Sequence, residues 1–306
     1  MGFLQAGHEV VWANDICRDC AETYRTNIGD HFVLGDIRNV KAAEVPDCDI
    51  VIGGFPCQGF SQANMKRNLA DLRNQLYLEF VRMVSEKQPK YFVAENVRGL
   101  LSMGNGEVIK SIVRDFEDVG YRVDYRVFNA ADFGVPQNRF RVIIIGIRED
   151  VFEGNFPFPI ETHSKNGDLL TKKWVTIGET LKNIPEPTDN HSLANHICSK
   201  YKVTDRNFTG HRRTDPDKPS PTILAKDSGG NVATHHPNNH RRMSVRESAI
   251  IQTFPLDFVF KGGMGSAYRQ VGNAVAVKFA AAIGKQLKQL EKVKSPVFQQ
   301  NQLVEA

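Results

Sequence analysis

Cys57 stands in the run Gly53-Gly54-Phe55-Pro56-Cys57-Gln58-Gly59-Phe60-Ser61, directly after the apolar stretch Asp49-Ile50-Val51-Ile52. A thiol in a glycine-rich turn, just past the C-terminal end of a strand, lies where open α/β sheets hold their ligands. Pro56 fixes φ, and the glycines allow a substrate to approach the backbone closely. Such a mount suits a nucleophile, given a neighbouring charge or base that draws the thiol toward thiolate. Taken alone, the residue type favours a buried, inert cysteine. The neighbours decide between the two.

Other residues with chemical potential sit at strand ends. Glu95 follows the apolar run Tyr91-Phe92-Val93-Ala94, and its alternative is a plain helix N-terminal acid. Arg139 and Arg141 alternate on an extended segment, so both face one side. They suit a positive field for a thiolate, or else phosphate contact or surface pairing. Asp15 and Asp36 each follow a short strand-like run, where an acid is usually a helix cap or turn residue. Cys17 and Cys20 form a C-x-x-C with no second Cys/His pair at compact spacing, which reads as a helix face rather than a zinc or redox site. No metal site is expected.

Phe-Pro-Cys-Gln-Gly-Phe-Ser around Cys57 resembles the catalytic loop of the C5-cytosine-specific DNA methyltransferases. Glu95-Asn96-Val97 is similar to the family's Glu-Asn-Val, and Gln137-Asn138-Arg139-Phe140-Arg141 to its Gln-x-Arg-x-Arg. Arg246-Glu247-Ser248-Ala249-Ile250-Ile251-Gln252-Thr253-Phe254-Pro255 resembles its Arg-Glu-x-Ala helix, and Gln270-Val271-Gly272-Asn273-Ala274-Val275 its closing element. The elements follow the family's order across nearly the whole chain.

The resemblance implies a reaction. Cys57 would add to cytosine C6 and make C5 nucleophilic toward the methyl group of S-adenosylmethionine. Glu95 would hold N3 and the exocyclic amine, a task that favours a raised pKa. Arg139 and Arg141 would complete the catalytic set, with Asn96 ordering the loop. Asp15, Asp36, Ile37, Pro56, Leu76, Asn273 and Val275 fall at cofactor positions. Gln58, Ser61, Arg67, Arg212, Arg213 and Thr222 fall at or near DNA-contacting ones, and the target base would be flipped out of the duplex.

The elements that must position these residues alternate in type over the first half of the chain. Strands are expected at Val10–Asn14, Phe32–Leu34, Ile50–Gly53, Tyr91–Ala94, Tyr121–Asn129 and Val142–Gly146, and helices at Cys17–Thr26, Gln75–Glu86 and Gly106–Val119. Such alternation predicts a mostly parallel sheet with helices on both faces. The resemblance makes it a Rossmann-like α/β methyltransferase sheet with a smaller, irregular target-recognition domain. The expected divisions are 1–160 for the catalytic and cofactor-binding domain, 161–271 for recognition and hinge, and 272–306 for a C-terminal helix, Val275 to about Leu290, returning to the first domain.

One family element is missing from the pattern. The family opens with a strand and a Phe-x-Gly-x-Gly-Gly loop, whereas this sequence opens Met1-Gly2-Phe3-Leu4-Gln5 and contains no such loop. The missing strand would be central. The expectation is a truncated start, with a degenerate remnant or one half of a split enzyme as the alternatives, and weak or no binding of S-adenosylmethionine by the chain as written.

Composition sets the outer limits. The chain has 306 residues, a formal net charge of +4 and five cysteines without framework spacing, which fits a reducing compartment and is compatible with a polyanion. No run approaches the length of a membrane span. The expected partners are double-stranded DNA and a cognate restriction endonuclease, with a monomer acting on DNA in the bacterial cytoplasm, at the nucleoid when bound. The competing readings are a tRNA cytosine-5 methyltransferase, a truncated or degenerate homologue that binds DNA without catalysis, and, least favoured, a thiol hydrolase built on Cys57.

Overall fold

Val142-Ile143-Ile144-Ile145, a β-branched run with every side chain fully buried, forms the middle of the strand around which the larger sheet is built. The computed structural model describes residues 1–56, 72–198, 214–225, 235–237 and 241–293. Its strands are β1 (Ala13–Asp15), β2 (Phe32–Leu34), β3 (Ile50–Gly53), β4 (Tyr91–Val97), β5 (Tyr121–Asn129), β6 (Phe140–Arg148), β7 (His163–Ser164) and β8 (Lys172–Lys173). Its α-helices are α1 (Gly2–Gln5), α2 (Arg18–Asn27), α3 (Leu72–Lys87), α4 (Glu107–Glu117), α5 (Ile177–Leu181), α6 (Val245–Ile251), α7 (Met264–Asn273) and α8 (Val277–Val293).

The larger sheet has the order β3-β4-β6-β5. Alternation along β6 sends Ile143, Ile145 and Ile147 to one face, against Phe128, Phe133, Phe158 and Phe279 and Leu287 of α8. Val142 and Ile144 go to the other face, against Phe92, Tyr77 and Val84 of α3 and Ile109, Ile112 and Phe116 of α4. The sheet is thus covered on both sides, as expected from near-continuous apolar strands. Phe92 and Gly146 are cross-strand partners, and a Cβ on Gly146 would overlap the Phe92 ring.

One expectation needs correction. The larger sheet is mixed rather than mostly parallel: β3 and β4 are parallel, while β6 runs antiparallel to both β4 and β5. The β5–β6 connection, 130–139, is too short for a crossover helix, so the strands pair as a hairpin. Continuity is interrupted where the absent family strand would have paired, as expected. The parallel pair β1–β2 forms a separate two-stranded sheet. Among the described residues, β1 and β3 each keep one edge without a ladder partner, and Ile52 of β3 is half exposed. Helix α3 spans the two sheets. It packs on the larger one, while its Arg82 donates to the carbonyls of Ile37 and Val40 at 3.2 and 3.0 Å.

Beyond β6 the chain returns to the tip of the hairpin, where Trp174 Nε1 donates to Asp132. A third core gathers α5, α6 and α7 around Ile177, Val245, Ala249, Ile251, Phe260 and Val271. Helix α6 starts with a capping box in which Ser244 and Glu247 each accept from the other's backbone N–H. That arrangement satisfies two orphan donors at once. Arg246 of the same helix is fully buried and donates to the carbonyls of Ala194, Pro255 and Phe258. Helices α7 and α8 are separated by the extended residues Ala274–Ala276, so the closing motif spans a break, and the last helix starts at Val277. Cys17 caps α2 and is disulfide-bonded to Cys20, their Cα atoms 5.2 Å apart. This replaces the plain helix face expected there: a cap and the third helical residue lie within bonding reach.

Candidate active site

Glu95 lies near the C-terminal end of β4, and its side chain shares a face with Arg141 at the start of β6. Arg141 stands opposite Val97, two positions along from Ile143, the partner of Glu95, so the pair is diagonal across adjacent strands. Arg141 Nε is 2.6 Å from Glu95 Oε1, with the side chains only 11% and 18% exposed. The Nε–H does not point at Oε1, which has no aligned donor; the contact is a charge pair rather than a directed hydrogen bond. Arg141 Nη1 donates to the carbonyl of Phe140, which holds the guanidinium in place.

The backbone that leads into Cys57 lies on this pair. A Cβ built on Gly54 would be 3.4 Å from Glu95 Oε2. Phe55 is buried against Tyr77, and Asn96, on the opposite face of β4, donates from Nδ2 to the carbonyl of Phe55 at 3.0 Å. Pro56 follows, half buried. Cys57, Gln58, Ser61 and Arg67 lie outside the described residues, as do Arg212 and Arg213.

Arg139 has different surroundings. It is 2% exposed. Its Nη1 donates to the carbonyl of Ile223 at 3.0 Å and its Nη2 to that of Gly272 at 2.9 Å. Burial, with Arg141 nearby, lowers its pKa to about 10, and the negative charge of Glu95 opposes the fall. The guanidinium remains charged at neutral pH and works as a buried tie between two backbone segments. The two arginines, alternate in sequence, therefore divide their tasks: Arg141 meets Glu95 and Arg139 holds the 223 and 272 backbones. Thr222 uses its hydroxyl on the carbonyl of Asn138 at 2.8 Å.

Asp15 and Asp36 come together at the C-terminal ends of the parallel strands β1 and β2, with Gly35 N donating to the Asp15 carbonyl. The Asp15 side chain is exposed and accepts from Cys17 N. Asp36 caps the turn Ile37–Asn39, and the guanidinium of Arg38 on its carboxylate lowers its pKa to about 2. Ile37 and Leu76 are half buried. Asn273 is exposed as the last residue of α7, and Val275, in the break, packs on the core beneath α8. Two acids side by side at parallel strand ends fit the diol and amine of an adenosine group, and an apolar Ile37 fits its ring. The donor set therefore suits the adenosine end of S-adenosylmethionine. Among the described residues there is no cluster of His, Cys, Asp and Glu placed to hold a metal ion, and no helix long and apolar enough to cross a membrane.

Sequence reasoning missed the glutamines that organise this region. Gln137 and Gln252 are both fully buried and bonded to each other, Gln137 Nε2 donating to Gln252 Oε1 at 2.9 Å. Both fall inside motif segments, but residue type and spacing carry no sign that two amides 115 positions apart meet.

A mixed sheet covered by helices, with acids at the strand ends and a Glu–Arg pair whose carboxylate lies beside Gly54, fits an S-adenosylmethionine-dependent methyltransferase fold. The model of the C-5 cytosine-specific DNA methylase family matches residues 1–289, and the chain belongs to that family. It is 39% identical to the Type II methyltransferase M.NgoFVII of Neisseria gonorrhoeae, over 98% of this chain and 84% of that protein. It is 40% identical to M.BspRI of Lysinibacillus sphaericus, over 91% and 69%. In structure it is similar to the Dnmt2 methyltransferase of S. pombe, with a TM-score of 0.69, 19% identity and coverage of 96% of this chain and 95% of the other; at that identity the likeness concerns the fold. The protein is a DNA (cytosine-5-)-methyltransferase whose methyl donor is S-adenosylmethionine.

Proposed function

We propose that this chain is the modification enzyme of a restriction–modification pair and methylates a flipped-out cytosine of double-stranded DNA through a covalent bond to Cys57. The observation that carries the reading is the seat of the loop: Gly54 lies against the Glu95 carboxylate, and Asn96 holds Phe55, two residues before the thiol. A pyrimidine presented to Glu95 would thus lie beside Gly54, three residues before the thiol in the sequence.

Cys57 Sγ adds at C6 as N3 takes up a solvent proton relayed through the Glu95 carboxylate, which turns C5 into an enamine carbon. Arg141, beside the carboxylate, fixes Glu95 and adds positive potential for the thiolate and the electron-rich ring. Loss of the C5 proton to a base after methylation expels the thiolate and frees the enzyme. Bound S-adenosylmethionine would supply an electrophilic methyl group. Asp15, Asp36 and Ile37 would bind its adenosine part, with Pro56, Leu76, Asn273 and Val275 around it.

Gln58, Ser61, Arg67, Arg212, Arg213 and Thr222 are proposed DNA contacts. For Thr222 that contact would share a hydroxyl already donated to Asn138. The proposed division remains 1–160, 161–271 and 272–306, with a monomer on DNA, a cognate endonuclease that cuts the unmethylated site, and a cytoplasmic location. The test is transfer of labelled methyl to mixed-sequence DNA beside tRNA, with Cys57→Ala as control and capture on 5-fluorocytosine DNA. Transfer to DNA that vanishes in the variant supports the reading. Transfer to tRNA alone, or DNA binding without transfer, replaces it.

A further inference from the structure

We propose that Gln252 and Gln137 are positioning residues that lock three separate segments into one body: residues 220–225, the approach to β6, and the break between α7 and α8. Gln137 Oε1 accepts from Ile223 N at 3.0 Å, and its Nε2 donates to Gln252 Oε1. Gln252 Nε2 then donates to the carbonyls of Val271 and Ala274 at 2.9 and 3.1 Å. The backbone of the same residue accepts from Val277 N, and the next residue, Thr253, accepts from Lys278 N through its hydroxyl. One dipeptide thus caps the first turn of α8 while its amide side chain closes the end of α7.

Three further observations converge on this joint. Thr253 has φ +61°, a left-handed conformation that a β-branched residue adopts only where its surroundings force it. A Cβ at Gly272 would overlap the backbone of Leu224 and Ala225, so the 220–225 segment lies directly on α7. Arg139 repeats the connection independently, bonding Ile223 on one side and Gly272 on the other.

Two fully buried amides are a costly way to fill a core, because each polar atom must find a partner. What they provide over leucines is register: directed bonds accept one alignment of three backbones, whereas apolar contacts tolerate sliding. The consequence is positional. Thr222 is carried on the first segment, Arg141 on the second, and Asn273 and Val275 on the third. A shift of the 220–225 segment therefore cannot occur without disturbing the strand that presents Arg141 to Glu95. The consequence for turnover rests on the proposed function; the joint itself does not.

Hydrogen exchange on the whole chain tests the joint. In the wild type, the amides of Ile223, Ala274 and Val277 should open as one cooperative unit with a shared dependence on denaturant. In Gln252→Met, whose native side chain makes no hydrogen bond to residues 220–225, exchange of that peptide should accelerate about tenfold or more while the β4 peptide 91–97 stays within about twofold. Methyl transfer by Gln252→Met and Gln137→Met should show a fall in kcat with KM for DNA little changed, and the double variant should be no worse than either single one. Independent opening of the 220–225 segment in the wild type overturns the joint, even if no variant folds. So does unchanged exchange of that peptide in Gln252→Met, or acceleration only in step with 91–97. Failure of the wild type to methylate DNA would count against the proposed function and leave the exchange result to decide the joint.

Discussion

Arg141 Nε and Glu95 Oε1 are 2.6 Å apart on neighbouring antiparallel strands, nearly shielded from solvent. Neither strand alone brings the charges together; the diagonal cross-strand register does. The pair is the polar end of a sheet face that is otherwise apolar, since Tyr91, Val93, Ile143 and Ile145 continue the same rows into the core.

That geometry makes the two residues separable by kinetics. Glu95→Gln keeps the size and removes the proton relay proposed for N3, and is expected to lower methyl transfer by about 10²–10⁴-fold. Arg141→Met is expected to lower it by about 10²-fold or more, as the carboxylate loses its anchor and the site its positive potential. Single-turnover transfer with saturating S-adenosylmethionine measures both, and parity of either variant with wild type would remove that residue from the catalytic set.

Arg139 is expected to act through stability. Arg139→Met leaves the carbonyls of Ile223 and Gly272 without donors, at about 1–3 kcal/mol each. Urea unfolding should show a loss of about 2–5 kcal/mol. Arg139→Lys, with a charge but no fork, should recover only part of it.

Gly146 and Ile52 mark opposite extremes of tolerance in the same sheet. A methyl group at Gly146 would overlap the ring of its partner Phe92, so Gly146→Ala should cost about 1–3 kcal/mol. Ile52, half exposed on an edge of β3 that has no ladder partner among the described residues, should accept threonine within about 0.5 kcal/mol. Denaturation midpoints of the two variants, compared with equal m-values, decide the matter.

His236 sets a pH dependence. It is buried, and burial pushes its pKa below the ordinary histidine value; Glu247 opposes the shift and Arg241 adds to it. The folded state therefore favours neutral imidazole. Its contribution to stability is complete above the unfolded pKa of about 6.5 and is lost as pH falls through that value toward the lower folded pKa. Urea midpoints at pH 7.5 and 5.5 should differ less in His236→Gln than in the wild type; an identical pH slope would show that other groups carry it.

Much of the larger sheet was legible in the sequence because its strands are buried on both faces. Continuous β-branched and aromatic runs such as Val142–Ile145 and Tyr91–Ala94 announce themselves by composition. Direction was not legible. The antiparallel placement of β6 follows from the short 130–139 connection, which carries no apolar period of its own. The motif segments were equally plain as strings, yet the strings assigned Arg139 and Arg141 to one task. Their alternation is a statement about backbone direction, and partners 84 and 133 residues away from Arg139 leave no trace in it.

The sequence by itself determined the motifs: the cysteine segment, the acid near the end of β4, the acids at the ends of β1 and β2, and hence the family. These depend on residue type and on neighbours a few positions away, which local order preserves. The tertiary structure alone decided which arginine meets Glu95, that the β1–β2 pair forms its own sheet, and that Gln137, Gln252 and Gly272 join the 220–225 segment to the site. Those are outcomes of long-range hydrogen bonding and close packing, in which a buried polar atom takes whichever partner the folded chain brings within about 3 Å.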